Sequence, residues 1–178
     1  RYVGIKEGLE IHHDGDLPAR TGLGSSSAFT VGMLNCLYAL QGDIISKDEL
    51  AKQAIHIERD VLKENVGSQD QIAVAYGGFN KINFHNDHNF RVIPMTLKNE
   101  RIKELQEHLI LIYTGLSRFA SDIAAEQIKN IKYKKKELFL MHKMVDRAVQ
   151  ILNSNVDIAE FGELLNESWL LKKRLSKR

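Results

Sequence analysis

The chain is poor in cysteine, proline and aromatic residues: one Cys, two Pro and 7% Phe, Trp and Tyr among 178 residues. A single thiol excludes an internal disulfide and a cysteine-cluster metal site, and Cys36, set in an apolar run, is expected to be a small buried side chain. With 12 Gly, 43% apolar and 27% charged residues, the composition excludes collagenous, low-complexity and disordered classes and fits a folded soluble chain. No apolar run approaches the ~20 residues that a bilayer span needs. The opening residues Arg1 to Glu7 lack the apolar stretch and cleavage site of a signal peptide, so the sequence reads as cytoplasmic. Charge of one sign is also missing. The 25 basic and 23 acidic residues leave +2, too small a bias to make nucleic acid or an anionic membrane the main partner. There is no initiator Met, and the last residues form a helix-like basic segment ending at Arg178; the sequence reads as a piece of something longer.

What is present alternates strand-like and helical patterns. Leu9 to His13 alternates apolar and polar residues as a half-buried strand does, and Asp14-Gly15-Asp16 follows as a turn. A Gly- and Ser-rich stretch then runs into Ala28 to Leu40, apolar nearly all round and so expected to be a helix buried on most faces. Gly42 is a suitable stop, and Ser46-Lys47-Asp48-Glu49 has capping-box spacing, predicting a second helix to about Lys63. Asn65 to Asp70 reads as a loop and Gln71 to Tyr76 as a short helix. Beyond Gly77-Gly78, Phe79 to Phe84 and Phe90 to Met95 read as a hairpin joined by the polar residues 85 to 89. Leu109 to Tyr113, continuously apolar and rich in β-branching, predicts a central strand. From Ser121 onward the pattern is helical. Leu138, Met141, Val145, Ala148, Val149 and Leu152 share one face, and Phe161, Leu164, Leu165, Ser168 and Leu171 share another. A composition shift at Lys98 to Lys103 divides an αβ part, 1–100, from a largely helical part, 101–178, giving an α+β class.

Three places carry chemistry. Gly22-Leu23-Gly24-Ser25-Ser26-Ser27 opens a helix, where glycine lets the backbone curl close to a ligand and the first N–H groups lack internal partners. With the helix dipole, such an end suits phosphate, and the three hydroxyls can donate to phosphate oxygens or join a magnesium shell. The bland alternative is a serine N-cap after a glycine turn. The spacing is neither a P-loop, since no lysine follows the second glycine, nor a dinucleotide fingerprint. Glu58 has Ala54, Ile55, Val61 and Leu62 as helical neighbours, so its carboxylate projects from an inward-packing face. A charge there needs a partner, either an Arg or Lys or a metal ion. Asp70, in Gly67-Ser68-Gln69-Asp70-Gln71, is either a first-turn helix carboxylate or a group that orients and deprotonates an attacking hydroxyl.

Together these residues resemble the GHMP kinases, the family of galactokinase, homoserine kinase, mevalonate kinase and phosphomevalonate kinase. Pro18-x-x-x-Gly22-Leu23-Gly24-Ser25-Ser26-Ser27-Ala28 is similar to that family's Pro-x-x-x-Gly-Leu-Gly-Ser-Ser-Ala-Ala phosphate loop, with Ser27 in place of an alanine. Glu58 and the Gly67-x-x-Asp70-Gln71 turn are similar to its magnesium glutamate and catalytic aspartate, with the trailing Gln of its sugar kinases. Tyr113 to Ser121 is similar to a stretch in its heptose phosphate kinase branch. The resemblance implies a GHMP kinase fold, with a ribosomal-S5-domain-2-like αβ part followed by a mostly helical start of the C-terminal GHMP domain. It implies ATP and Mg2+ as cofactors, backbone from Gly22 to Ser27 around the ATP phosphates, Ser26 and Glu58 on magnesium, and Asp70 acting on the acceptor hydroxyl. The extra hydroxyl of Ser27 leaves open which serine meets the metal. A sugar-recognition motif is expected before Arg1 and a Gly-rich motif after Arg178. The acceptor implied is a heptose 7-phosphate at its anomeric hydroxyl, for surface polysaccharide. A galactose- or fucose-type kinase and a non-catalytic ligand-sensing relative are the alternatives.

Arg118 and Ser117, after the expected central strand, and Gln71 are further candidates for substrate contact. His12-His13 and His85-x-x-His88 lack a third ligand and read as ordinary surface histidines. The lysines at 132 and 134–136 and at 172–173 read as solvated helix faces, and nucleic acid and membrane are not expected partners. Trp169 reads as core or docking surface, and the last two helices leave a homodimer open.

Overall fold

A computed structural model describes residues 2–16, 22–85, 89–112 and 120–175, with the backbone alone at 120–123. The chain divides into two compact units: the described residues up to Pro94 with Ala120 and Ser121, and the remainder from Met95 onward.

The first unit is built on helices and a hairpin. α1 (Ser25–Leu40) stops where expected: Gly42 takes φ +80°, which glycine adopts without a Cβ penalty, and its N–H donates to Ala39 O at 3.0 Å. α2 (Lys47–His56) starts at Ser46, whose hydroxyl accepts the Glu49 N–H at 3.1 Å. The box is half formed, because the Glu49 carboxylate accepts from Gln53 Nε2 instead of returning to the cap. α2 runs into a π-helical turn, Ile57–Val61, and α3 follows at Gln69–Tyr76. β1 (Asn80–Phe84) and β2 (Phe90–Pro94) pair antiparallel with Ile82 opposite Val92, and His85 N–H donates to Asn89 O at 2.9 Å across the turn. Val31 and Leu34 of α1 pack with Leu50 and Ala54 of α2. Ala51, Ile55 and Ile72 form a second cluster against which Ile82, Phe90 and Val92 of the hairpin lie. One face of α2 therefore reaches both clusters, as the 3.6-residue period of Leu50, Ala51, Ala54 and Ile55 requires.

The second unit holds α4 (Asn99–Glu107), α5 (Ala120–Asn130) apart from its first two residues, a 3-10 turn (Ile131–Tyr133), α6 (Lys135–Asn153) and α7 (Ala159–Lys173). α6 and α7 pack together around Ile151, Leu152, Ile158 and Leu164, although Val145 and Leu165 of the expected stripes are exposed. Arg101 of α4, 9% exposed, ties this unit together. Its Nη2 donates to Ile151 O and Val156 O at 2.8 and 2.9 Å, satisfying carbonyls at and just beyond the α6 C-terminus, while Nη1 pairs with Glu104 at 2.7 Å. No described helix is long and apolar enough to cross a membrane.

Several expectations are corrected. Leu9 to His13 is not a strand and is exposed; of the strand expected over Leu109 to Tyr113, Leu109 to Ile112 is not a strand, with Ile110 84% and Leu111 75% exposed, and Tyr113 lies outside the described residues. A strand is defined by its neighbours, and the described residues pair only β1 with β2. Cys36 is exposed because the α1 face that carries it, with Phe29 and Leu40, borders an open groove. Val61 and Leu62 are also exposed, since the π turn rotates the chain off the α-helical register just after Glu58.

Candidate active site

The Gly-rich segment produces a bare helix end. Gly24 is the residue before α1, in the left-handed region at φ +73°, and its carbonyl accepts the first helical bond from Ala28 N–H at 2.9 Å. No side chain caps this terminus and no acidic residue lies in its first turn, so a serine N-cap is not what the structure shows. The leading N–H groups keep their capacity to donate, and the dipole adds partial positive charge at the same spot. Gly22, at φ +79°, and Leu23 are exposed just outside it; Ser25 is half-buried and Ser26 exposed. Ser27 turns inward and is buried.

Its partner is Glu58. This residue follows Ala54 and Ile55 on the buried face and is 1% exposed. Ser27 Oγ donates to Glu58 Oε2 at 3.1 Å, and Gln71 Nε2 donates to the same oxygen at 2.6 Å. Glu58 Oε1 is buried without a partner, as is Gln71 Oε1. No Arg or Lys among the described residues pairs with Glu58. The adjacent Arg59 instead turns to Asp60, donating from Nε and Nη2 at 3.0 and 3.3 Å. The Arg59 guanidinium, and then the His56 ring, hold the Asp60 carboxyl down at about 2.

α3 completes the site. Gln71 is 1% exposed and engaged with Glu58, whereas Asp70, one residue earlier and about 100° around the helix, is exposed in the first turn. The Asp70 carboxyl lies against the loop: a Cβ placed on Gly24 would sit 3.6 Å from both Asp70 Cγ and Oδ2. Hydrogen bonds thus join α1 to Glu58 through Ser27 and Glu58 to α3 through Gln71, and the Asp70 carboxyl lies beside Gly24.

The structure joins Ser27 to the Glu58 carboxylate, while Ser26, the serine expected on magnesium, is exposed. The Gln71 contact was not legible, although the one-residue offset from Asp70 is the signal that would have found it. Ser117 and Arg118 lie outside the described residues, as does His88. His12 bonds Glu10 at 2.9 Å and His13 packs edge-on to Phe29; no three His, Cys, Asp or Glu side chains among the described residues form a metal cluster. The donors at Glu58 are carboxylate and hydroxyl oxygens, one carboxylate oxygen being buried and unpartnered. That set fits magnesium, which takes one or two protein oxygens and completes its shell with water and phosphate.

Known proteins resemble this chain in sequence and fold. The profile of the GHMP kinases N terminal domain matches residues 1–78. The chain is 32% identical over 170 residues to D-glycero-alpha-D-manno-heptose 7-phosphate kinase of Campylobacter jejuni, covering 94% of this chain and 50% of that protein. It is 36% identical over 136 residues to galactokinase of Pyrococcus furiosus, covering 71% of this chain and 36% of that one. A crystal structure of a D-glycero-D-manno-heptose 1-phosphate kinase from B. thetaiotaomicron superimposes with a TM-score of 0.63 at 30% identity, over 89% of this chain and 46% of that one. The chain spans about half the length of the heptose kinases it matches. On these likenesses in sequence and fold, the chain belongs to the GHMP kinase family.

Proposed function

We propose that the protein transfers the γ-phosphoryl group of ATP to a sugar hydroxyl, and that the sugar is a heptose 7-phosphate accepting at its anomeric position. The observation that carries the transfer is the position of the Asp70 carboxyl beside Gly24, at a helix N-terminus without a side-chain cap. Phosphate oxygens are received by the free N–H groups of Ser25 to Ser27 and by serine hydroxyls. Asp70, beside them, accepts the proton of the attacking hydroxyl as its oxygen bonds to the γ-phosphorus and the bond to the β,γ-bridging oxygen breaks, releasing ADP. Glu58, with Ser26, would hold magnesium, which when bound offsets the negative charge of the phosphates. Asp70 need only be well placed, because phosphoryl transfer is catalysed chiefly by positioning and electrostatics.

The choice of heptose rests on likeness to the Campylobacter jejuni and B. thetaiotaomicron heptose kinases. In this reading residues 1–100 supply the ATP-binding part and 101–178 the start of the second GHMP domain, Arg118 and Ser117 contact the sugar phosphate, and the product feeds nucleotide-activated heptose for surface polysaccharide. We place the protein in the cytoplasm, where ATP and magnesium are abundant. The test is ADP release by the whole protein supplied with ATP and, in turn, heptose 7-phosphate, galactose and fucose. Turnover with heptose 7-phosphate supports the assignment. Turnover on free hexoses alone replaces it with the galactose- or fucose-type reading that the galactokinase likeness favours, and saturable ATP binding with no acceptor at all replaces it with the ligand-sensing one.

A further inference from the structure

Both hydrogen bonds that reach Glu58 end on one oxygen. Ser27 Oγ and Gln71 Nε2 converge on Oε2 at 3.1 and 2.6 Å, while Oε1 is buried and unpartnered. A glutamate side chain has three rotatable bonds, and two donors from different helices on the same oxygen fix the plane in which the other oxygen points. The donors are themselves fixed. Ser27 is the third residue of α1, 3% exposed, and Gln71 is the third residue of α3, 1% exposed.

We propose that Ser27 and Gln71 are positioning residues that hold Oε2 so that Oε1 alone is presented to the divalent cation. This rests on the reading above that Glu58 is a metal ligand, and it gives Ser27 a task distinct from that of the phosphate-facing Ser25 and Ser26. A pinned carboxylate binds as one preset oxygen; a freed one must surrender rotamer freedom on binding and can turn Oε1 away from the site. The arrangement also couples the phosphate loop to the cation. Ser27 stands in the same first turn as the N–H groups expected to meet the nucleotide, so a movement of that turn is passed to Glu58 through one hydroxyl. Gln71 links the same carboxylate to α3, one residue from Asp70.

The experiment is a titration of Mn2+ into the whole protein with ADP present, followed by loss of the free-ion EPR signal, for the unaltered protein, Ser27→Ala, Gln71→Met and Glu58→Gln. Ser27→Ala is expected to weaken Mn2+ binding about tenfold or more, as loss of an outer-shell partner does, and Gln71→Met to act in the same direction. Mn2+ binding by both variants as tight as in the unaltered protein, or tighter, overturns the proposal, including the case where their thermal midpoints fall. Either variant suffices if the other does not fold. The Glu58→Gln arm separates the two layers: if it too binds Mn2+ normally, the metal reading itself fails, whereas lost binding there with normal binding in Ser27→Ala and Gln71→Met removes only the positioning role.

Discussion

The hydroxyl of Ser27 donates to Oε2 of Glu58 at 3.1 Å, joining the first turn of α1 to a π turn 31 residues later with both side chains buried. A carboxylate so placed, with both hydrogen bonds on one oxygen and no basic partner among the described residues, is costly in the absence of a cation, because desolvation is not repaid by an opposite charge. Replacing it with a neutral group of the same shape should therefore stabilise the metal-free protein. Glu58→Gln is expected to raise unfolding free energy by ~1–2 kcal/mol in chelator, read by urea denaturation, while abolishing Mn2+ binding. A loss of stability in chelator would show that the carboxylate is satisfied as it stands.

Gly24 is the hinge between the loop and α1. Its Cβ position is open enough for a methyl group, with Asp70 at ordinary contact distance, but φ is +73°. Strain, not space, opposes substitution. Gly24→Ala is expected to cost ~1–2 kcal/mol in unfolding free energy, the price of a left-handed residue with a side chain. The KM for ATP should rise in the same variant as the helix end shifts. Unchanged stability and KM would mean that the turn has an alternative geometry.

In the second unit, Arg101 holds the carbonyls of Ile151 and Val156. Arg101→Met keeps the aliphatic bulk and removes both donors, leaving these carbonyls without their partner. Denaturant titration should show a loss of ~2–4 kcal/mol, since a buried acceptor without its donor costs more than a hydrogen bond contributes. A change under ~1 kcal/mol would indicate that water takes the place of the guanidinium.

Asp60 offers a pH signature. Arg59 first, then His56, hold its carboxyl at about 2, below its ordinary 3.8. A carboxyl whose folded pKa is depressed contributes stability that is full above the unfolded value and is lost as pH falls through the folded one. The contribution of Asp60 should therefore fade between about pH 4 and pH 2. Asp60→Asn should remove that part of the acid limb in thermal scans and leave the curve above pH 5 parallel to the unaltered protein. An identical acid limb in the variant would assign the transition to other carboxyls.

Local signals carried much of this fold and interactions at a distance carried the rest. Both ends of α1 and the start of α2 were legible because Gly24, Gly42 and Ser46 act on backbone groups within four residues of themselves. The hairpin was legible for the same reason. Glu58 was legible as inward-facing from its neighbours Ala54 and Ile55, but the π turn that exposes Val61 and Leu62 has no counterpart in a 3.6-residue pattern. Leu9 to His13 and Leu109 to Ile112 carry strand composition, yet pairing depends on a second segment, and none of the described residues supplies it. At the site, the residue types pointed to phosphate, metal and proton transfer, while the choice of Ser27 over Ser26 depends on how α1 is rotated against α2, which only packing decides.

Asp70, beside Gly24, is proposed to act on the acceptor hydroxyl. Its most direct test is single-turnover phosphoryl transfer from ATP to heptose 7-phosphate by the whole protein carrying Asp70→Asn, with ATP affinity measured alongside. ATP binding is expected within a few-fold of the unaltered protein, with transfer slowed about a hundredfold or more, the scale of a lost general base. Transfer at a near-normal rate by Asp70→Asn would contradict it.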